Sequence, residues 1–202
     1  MGDDPDFDPF AADYPPAVVP AKKIRVKLST TAGVCHVLLD RALAPKGVDR
    51  FVELVEAGFF TNQLLYRVLP GLLVQFGVAQ DPTDHAEWED AKLTDEPNRR
   101  TFQGGTVSFA GGGMNSRSCH VFVALSPGGA CLGNAAHEAT LGRVEEVEVF
   151  ERVAERYAAQ GYPADLAVLQ KDLIERGNEA ALAYPRLDRI ISAEVLKQCD
   201  EA

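Results

Sequence analysis

The apolar residues of this chain come in short runs, each broken within a few positions by glycine, proline or a charged cluster. Ile24, Val26 and Leu28 alternate with Lys23, Arg25 and Lys27, the period of a strand with one face buried. Thr30-Thr31-Ala32-Gly33 supplies a turn, and Val34 to Leu39 reads as the return strand of a hairpin. Further strand-like runs are Leu64 to Leu69, Leu72 to Phe76 beyond the Pro70-Gly71 turn, Thr106 to Ala110, His120 to Leu125, Leu141 to Val144 and Leu187 to Leu196. Short strands at near-regular spacing with turn glycines restrict the chain to a mainly β fold, a barrel or a sandwich.

Three stretches have helical character. Pro45 stands near a first helical position, with Val48, Phe51, Val52 and Val55 on one face and Gly58 as a left-handed stop. A second helix is expected from about Glu146 to Gln160, with Val147, Phe150, Val153, Ala154 and Tyr157 inward and Gly161 ending it. A third is expected over 163–183, where the stripe Leu166, Leu169, Leu173, Ile174 suits packing better than free display. The polar, turn-rich stretch Asp81 to Arg100 reads as a surface loop. Residues 1–21 hold five aspartates and five prolines and no Lys or Arg, so they read as a disordered or extended arm. Residues 22–202 then form one domain, the unit that 202 residues favour.

Charge narrows the function. Thirty Asp and Glu against 20 Lys and Arg give a net charge of −10, half of it in the arm, which disfavours nucleic acid and anionic membrane surfaces as partners. No apolar run reaches the 18 residues of a membrane span. Cys35, Cys119, Cys131 and Cys199 are scattered without a C-x-x-C pair, so reduced, mostly buried thiols in a cytosol-like compartment are expected. A monomer is the default.

The familiar catalytic templates are missing. There is no G-x-x-x-x-G-K-[ST], no G-x-S-x-G and no H-E-x-x-H. His36, His85, His120 and His137 lie far apart along the chain, so neither a metal site nor a cofactor is expected. What stands out is the string from Leu65 to Gly77, with Arg67 inside one apolar strand and Gln75 inside the next. Pattern alone leaves two readings open. Either both side chains point to water from a strand edge, or both are buried and partnered, because burying them unpaired is costly.

Four blocks, taken together, are specific. Leu65-Tyr66-Arg67-Val68-Leu69-Pro70-Gly71-Leu72-Leu73-Val74-Gln75-Phe76-Gly77 resembles the cyclophilin signature F-H-R-V-I-x-G-F-M-x-Q-G-G. Phe109 to Ser116 followed by His120 to Val123 resembles M-A-N-A-G-x-N-T-N-G-S-Q-F-F-I. Ala44 to Phe51 resembles A-P-K-T-V-x-N-F, and Leu141 to Val144 resembles F-G-x-V. The blocks keep the family's order and span about Lys23 to Leu196, leaving only the helix at 163–183 unexplained.

The resemblance implies a closed eight-stranded antiparallel barrel capped by two helices, and the activity of a peptidyl-prolyl cis-trans isomerase acting on proline-containing peptides and proteins. It casts Arg67 as the catalytic donor to the prolyl nitrogen and Gln75 as the residue that holds the substrate carbonyl and steadies the arginine. Leu73, Phe122 and Leu132 match apolar walls of the proline pocket, and Ala110 matches a backbone position that pairs with the peptide. The departures are Leu72 for a pocket phenylalanine, Gly111 for an asparagine that binds substrate backbone, His120 for a glutamine, and Cys131 where a tryptophan is common. His137 stands at, or one position from, the family's pocket histidine. Slow turnover and weak cyclosporin binding are expected of such a pocket. The alternative is a catalytically weak or inactive cyclophilin-fold module that binds peptides or proteins.

Overall fold

The computed structural model describes residues 23–160 and 165–196. The acidic arm expected over 1–21, and Gly161 and Pro163, lie outside the described residues. Strand β1 (Lys23–Thr30) and strand β2 (Gly33–Asp40) form the hairpin that the alternation demands. Ile24 faces Leu39, Val26 faces Val37 and Leu28 faces Cys35, and all six are buried. Burial of one face fixes this register, since a one-residue slip would turn every apolar side chain outward.

Seven further strands complete the sheet: β3 (Gln63–Leu64), β4 (Arg67–Leu69), β5 (Leu73–Phe76), β6 (Thr106–Phe109), β7 (Val121–Ala124), β8 (Thr140–Val144) and β9 (Arg189–Val195). They lie in the order β3-β9-β1-β2-β8-β6-β7-β5-β4, and each pairing is antiparallel. The nine strands replace the eight expected, and the division of the run Leu64 to Leu69 into β3 and β4 accounts for the difference. Its first residues pair with β9 at one end of the sheet, and its last pair with β5 at the other. Only Leu65 and Tyr66 lie between the two pieces, a reach of about 11 Å at most. The sheet is therefore curled, with its two end strands linked by two residues of chain.

The core lies inside the curl. Phe51, Phe60 and Phe76 pack in tilted and edge-to-face contacts with ring centroids 5.1 and 5.4 Å apart, surrounded by Val107, Phe109, Val121, Val123, Leu141 and Phe150. Helix α1 (Pro45–Glu56) packs on β2, β8 and β9, and helix α3 (Glu148–Gln160) on β2, β4 and β5. Gly58 takes the expected left-handed conformation after α1. The stretch over 81–100 is not all loop. Pro82–Asp90 forms helix α2, started by Asp81, whose side chain accepts from the Thr83 N–H, and by proline in the first turn.

The single helix expected over 163–183 is two, α4 (Leu166–Arg176) and α5 (Asn178–Ala181), parted at Gly177. Gly177 has φ 54°, and a Cβ there would run into the backbone carbonyl of Gln80, so the chain turns where only glycine passes. Leu169 and Leu173 pack with Leu64, Tyr66, Val78 and Leu187 in a second apolar cluster. The stripe thus closes a seam, as expected, and α4 lies against α2.

Candidate active site

The hairpin of β4 and β5, turned at Pro70-Gly71, sets Arg67 opposite Gln75. Gln75 in turn stands opposite Phe122, and Leu73 opposite Ala124, where β5 meets β7. Both readings left open for Arg67 and Gln75 resolve here to the partnered one. Arg67 Nη1 donates to Gln75 Oε1 at 3.0 Å. A guanidinium only donates, so the amide oxygen must face it, and the amide nitrogen points the other way. There Gln75 Nε2 donates to Tyr66 Oη at 2.6 Å. Gln75 is buried, while Arg67 is half-buried and reaches the surface.

Beside this pair lies a third apolar cluster of Leu73, Phe102, Phe122 and Ala124, edged by Leu69, Leu72, Ala110 and Leu132. Phe102 and Phe122 hold their rings 6.1 Å apart. The structure thus gathers Leu72, Leu73, Ala110, Phe122 and Leu132 into one patch next to the guanidinium strand. The Ala110 N–H donates to the His120 carbonyl at 2.9 Å, so pairing of Ala110 with a peptide must use its carbonyl. Gly111 lies against His137, whose ring would be 3.0 Å from a Cβ at that position, with Ser116 Oγ at 2.5 Å. A side chain at 111 has no room unless these neighbours shift. Cys131 is exposed, at the end of a short 3-10 turn, Gly128–Cys131.

A cleft of about 380 Å³ adjoins the patch, sharing Ala110 with it and lined further by Gln75, Glu89, Lys92, Ser118 and His120. Its floor carries a polar relay that continues from Tyr66. Tyr66 Oη lies 3.1 Å from His120 Nδ1, and His120 Nε2 lies 3.3 Å from Glu89 Oε2. Ser118 Oγ donates to the same carboxylate oxygen at 2.6 Å. Burial opposes ionisation of Glu89, yet hydrogen bonds from His120 and Ser118 outweigh it and hold the carboxyl down at about 2. Burial raises the Tyr66 phenol far above its ordinary value, so it stays a neutral hydroxyl that can accept from Gln75.

Sequence reasoning missed Tyr66, Glu89, Ser118 and Phe102. Tyr66 sits inside the quoted signature, at the histidine position, and that was its only signal. Glu89 depended on α2, which the polar composition concealed. The same helix brings together side chains that stand far apart along the chain. His85 and Glu89 of α2 meet Cys119 and His120, and one ligand atom from each of the four falls within 4.8 Å of the others.

Comparison with known proteins bears on the family. Residues 25–171 match the family model described as cyclophilin type peptidyl-prolyl cis-trans isomerase/CLD. The chain belongs to the cyclophilin family. Curated relatives include peptidyl-prolyl cis-trans isomerase-like 1 of Aspergillus niger, 32% identical over 108 residues, covering 50% of this chain and 65% of that protein. Peptidyl-prolyl cis-trans isomerase A of Dickeya dadantii is 33% identical over 98 residues, covering 48% of this chain and 51% of that protein. These matches thus span between about half and two thirds of the relatives' length. A crystal structure of a Cryptosporidium parvum cyclophilin type peptidyl-prolyl cis-trans isomerase superposes with a TM-score of 0.61 at 17% identity, covering 87% of this chain and 98% of that one. A second structure of it, in the presence of the dipeptide Ala-Pro, gives 0.60 at 16% identity, covering 86% of this chain and 99% of that one. At such identities the likeness is one of cyclophilin fold.

Proposed function

We propose that this cyclophilin accelerates cis-trans rotation about Xaa-Pro bonds, with Arg67 as the catalytic residue and proline-containing peptides and proteins as substrates. The observation that carries the reading is the Arg67–Gln75 pair held at 3.0 Å beside the Leu73, Phe102 and Phe122 patch. Rotation is slow because the C–N bond is partly double, with a barrier of about 18–20 kcal/mol. At the top of that barrier the nitrogen is pyramidal and accepts a hydrogen bond, which the planar amide does not. A guanidinium aimed at the nitrogen therefore favours the twisted state over either ground state. No bond is made or broken. An apolar wall of Leu73, Phe122 and Leu132 receives the proline ring, and water kept from the guanidinium makes its hydrogen bond stronger.

Gln75 and the Ala110 carbonyl orient the peptide, with Leu72, His120 and His137 bordering it. Gly111 supplies backbone alone. Exposed Cys131 offers no large ring to a macrocycle, so weak cyclosporin binding belongs to the same reading. So do a monomeric state and a cytosol-like compartment, the latter supported by unpaired Cys35, Cys119 and Cys131. We read the curled sheet as the family's closed barrel, on the short passage from β3 to β4.

One observation favours a second reading, a peptide-binding module with little turnover. Ser116 and His137 occupy the space that a substrate-binding side chain at 111 would need. Following cis-to-trans conversion of an Ala-Pro peptide separates the two. Acceleration lost in Arg67→Ala is the result expected. Peptide binding by the wild type without acceleration makes the protein a module, and acceleration that survives Arg67→Ala removes the arginine from its role.

A further inference from the structure

His85 is 2% exposed, yet its Nε2 has no hydrogen-bond partner, and its Nδ1 has only the Cys119 sulfur at 4.0 Å. A buried imidazole with neither nitrogen well satisfied is costly. Around it stand Glu89, one turn on along α2 and therefore on the same face, and Cys119 and His120. Consecutive residues of a strand point to opposite faces, but Ser118 and Cys119 form a bend just before β7. That bend lets both Cys119 and His120 face α2. Cys119 Sγ lies 3.6 Å from Glu89 Oε2, and the two imidazole rings are 5.3 Å apart.

We propose that His85, Glu89, Cys119 and His120 form a site for one zinc-class divalent cation at the edge of the cleft beside Arg67 and Gln75. Two imidazoles, one thiolate and one carboxylate are a tetrahedral zinc donor set. Ligands of a tetrahedral zinc lie about 3.3–3.8 Å apart, so donors already within 4.8 Å need side-chain rotation rather than backbone movement. The charges close as well: the cation enters, the Cys119 proton leaves to solvent, and thiolate plus carboxylate neutralise the ion in a mostly buried place. Glu89 and His120 line the cleft, which gives the ion a path from solvent. His120 bound through Nε2 would present Nδ1–H to Tyr66 Oη, the outer hydrogen bond that orients metal-bound histidines. Occupancy would thereby fix the tautomer at the start of the relay to Gln75 and Arg67.

The full chain, stripped of metal by a chelator, is titrated with Zn²⁺ by calorimetry and with Co²⁺ by absorbance. One zinc per chain with a dissociation constant in the micromolar range or tighter is expected. Cys119→Ala and Glu89→Gln should each weaken it at least tenfold, and Cys131→Ser should leave it unchanged. Cobalt should give a thiolate charge-transfer band that Cys131→Ser keeps and Cys119→Ala loses. Should Cys119→Ala not fold, Glu89→Gln, at a side chain 38% exposed, carries the comparison. Wild type that fails to bind zinc, equal affinity in the ligand variants, or a cobalt band that survives Cys119→Ala overturns the site.

Discussion

At the scale of single residues, Tyr66 is the joint between the guanidinium and the rest of the site. Its hydroxyl takes the Gln75 amide N–H on one side and meets His120 on the other, while its ring is fully buried by the seam that α4 closes. Without that hydroxyl, Gln75 keeps one partner in Arg67 and loses the one that fixes its rotation. Tyr66→Phe preserves the ring and removes only the joint. It should lower stability by about 1–3 kcal/mol in urea unfolding, the cost of leaving a buried donor unpaired. It should also cut kcat/KM for an Ala-Pro peptide about tenfold or more through loss of alignment. A variant with full turnover would mean that Arg67 and Gln75 hold their geometry without support from behind.

At the scale of elements, the added helices test how much a single backbone conformation decides. Gly177 combines φ 54° with a close approach to the Gln80 carbonyl just before α2. Gly177→Ala should cost about 1–3 kcal/mol for the backbone conformation alone, and more for the contact. Circular dichroism during thermal unfolding reads the loss; an unchanged midpoint would show that α4 and α5 can part elsewhere. The same elements show what a sequence can carry. Strands β1 and β2 were legible because alternation and a half-buried hairpin are one fact. Arg67 and Gln75 were legible as a pair because a hairpin turned at Pro70-Gly71 sets them opposite each other. Helix α2 was not, although Asp81-Pro82 is a sound helix start, because His85 is its only buried residue and no apolar stripe announces it. The break at Gly177 was hidden for the opposite reason, since the apolar residues run on past it. The Tyr66, His120 and Glu89 relay could not be read at all, because it exists only once α2 is docked.

At the scale of the whole molecule, stability depends on a few charges tied across distant elements. Glu146 accepts from the His36 N–H at 2.7 Å and faces His36 Nδ1 at 3.0 Å, tying the chain before α3 to β2. Burial opposes its ionisation, but the hydrogen bonds from His36 outweigh this and hold the carboxyl below its usual range. A depressed carboxylate stabilises the fold above its unfolded pKa, and that contribution is lost as pH falls through the folded one. With Glu146 about a third exposed, the acid limb of the stability curve should shift by less than about 1 kcal/mol. Glu146→Gln should flatten that part of the limb, and parallel curves would exclude the tie. Glu96 is a stronger case. Ala44 gives α1 no side-chain cap, and Glu96 replaces it from 50 residues away, accepting from the Lys46 N–H at 2.7 Å and the Gly47 N–H at 2.9 Å. The same carboxylate meets Arg117 Nη1 at 3.0 Å with both side chains fully buried. Glu96→Ala therefore uncaps a helix and takes from a buried guanidinium its nearest carboxylate, leaving it the Thr94 carbonyl and Asp95 at 3.9 Å, at a cost of about 3–5 kcal/mol. The Arg41–Asp49 pair is geometrically as good, at 2.6 Å, but Asp49 is 48% exposed, so Asp49→Ala should cost about 1 kcal/mol or less. Urea unfolding of the two variants side by side decides whether burial or geometry sets the difference: equal losses would mean that pair geometry, not burial, sets the cost.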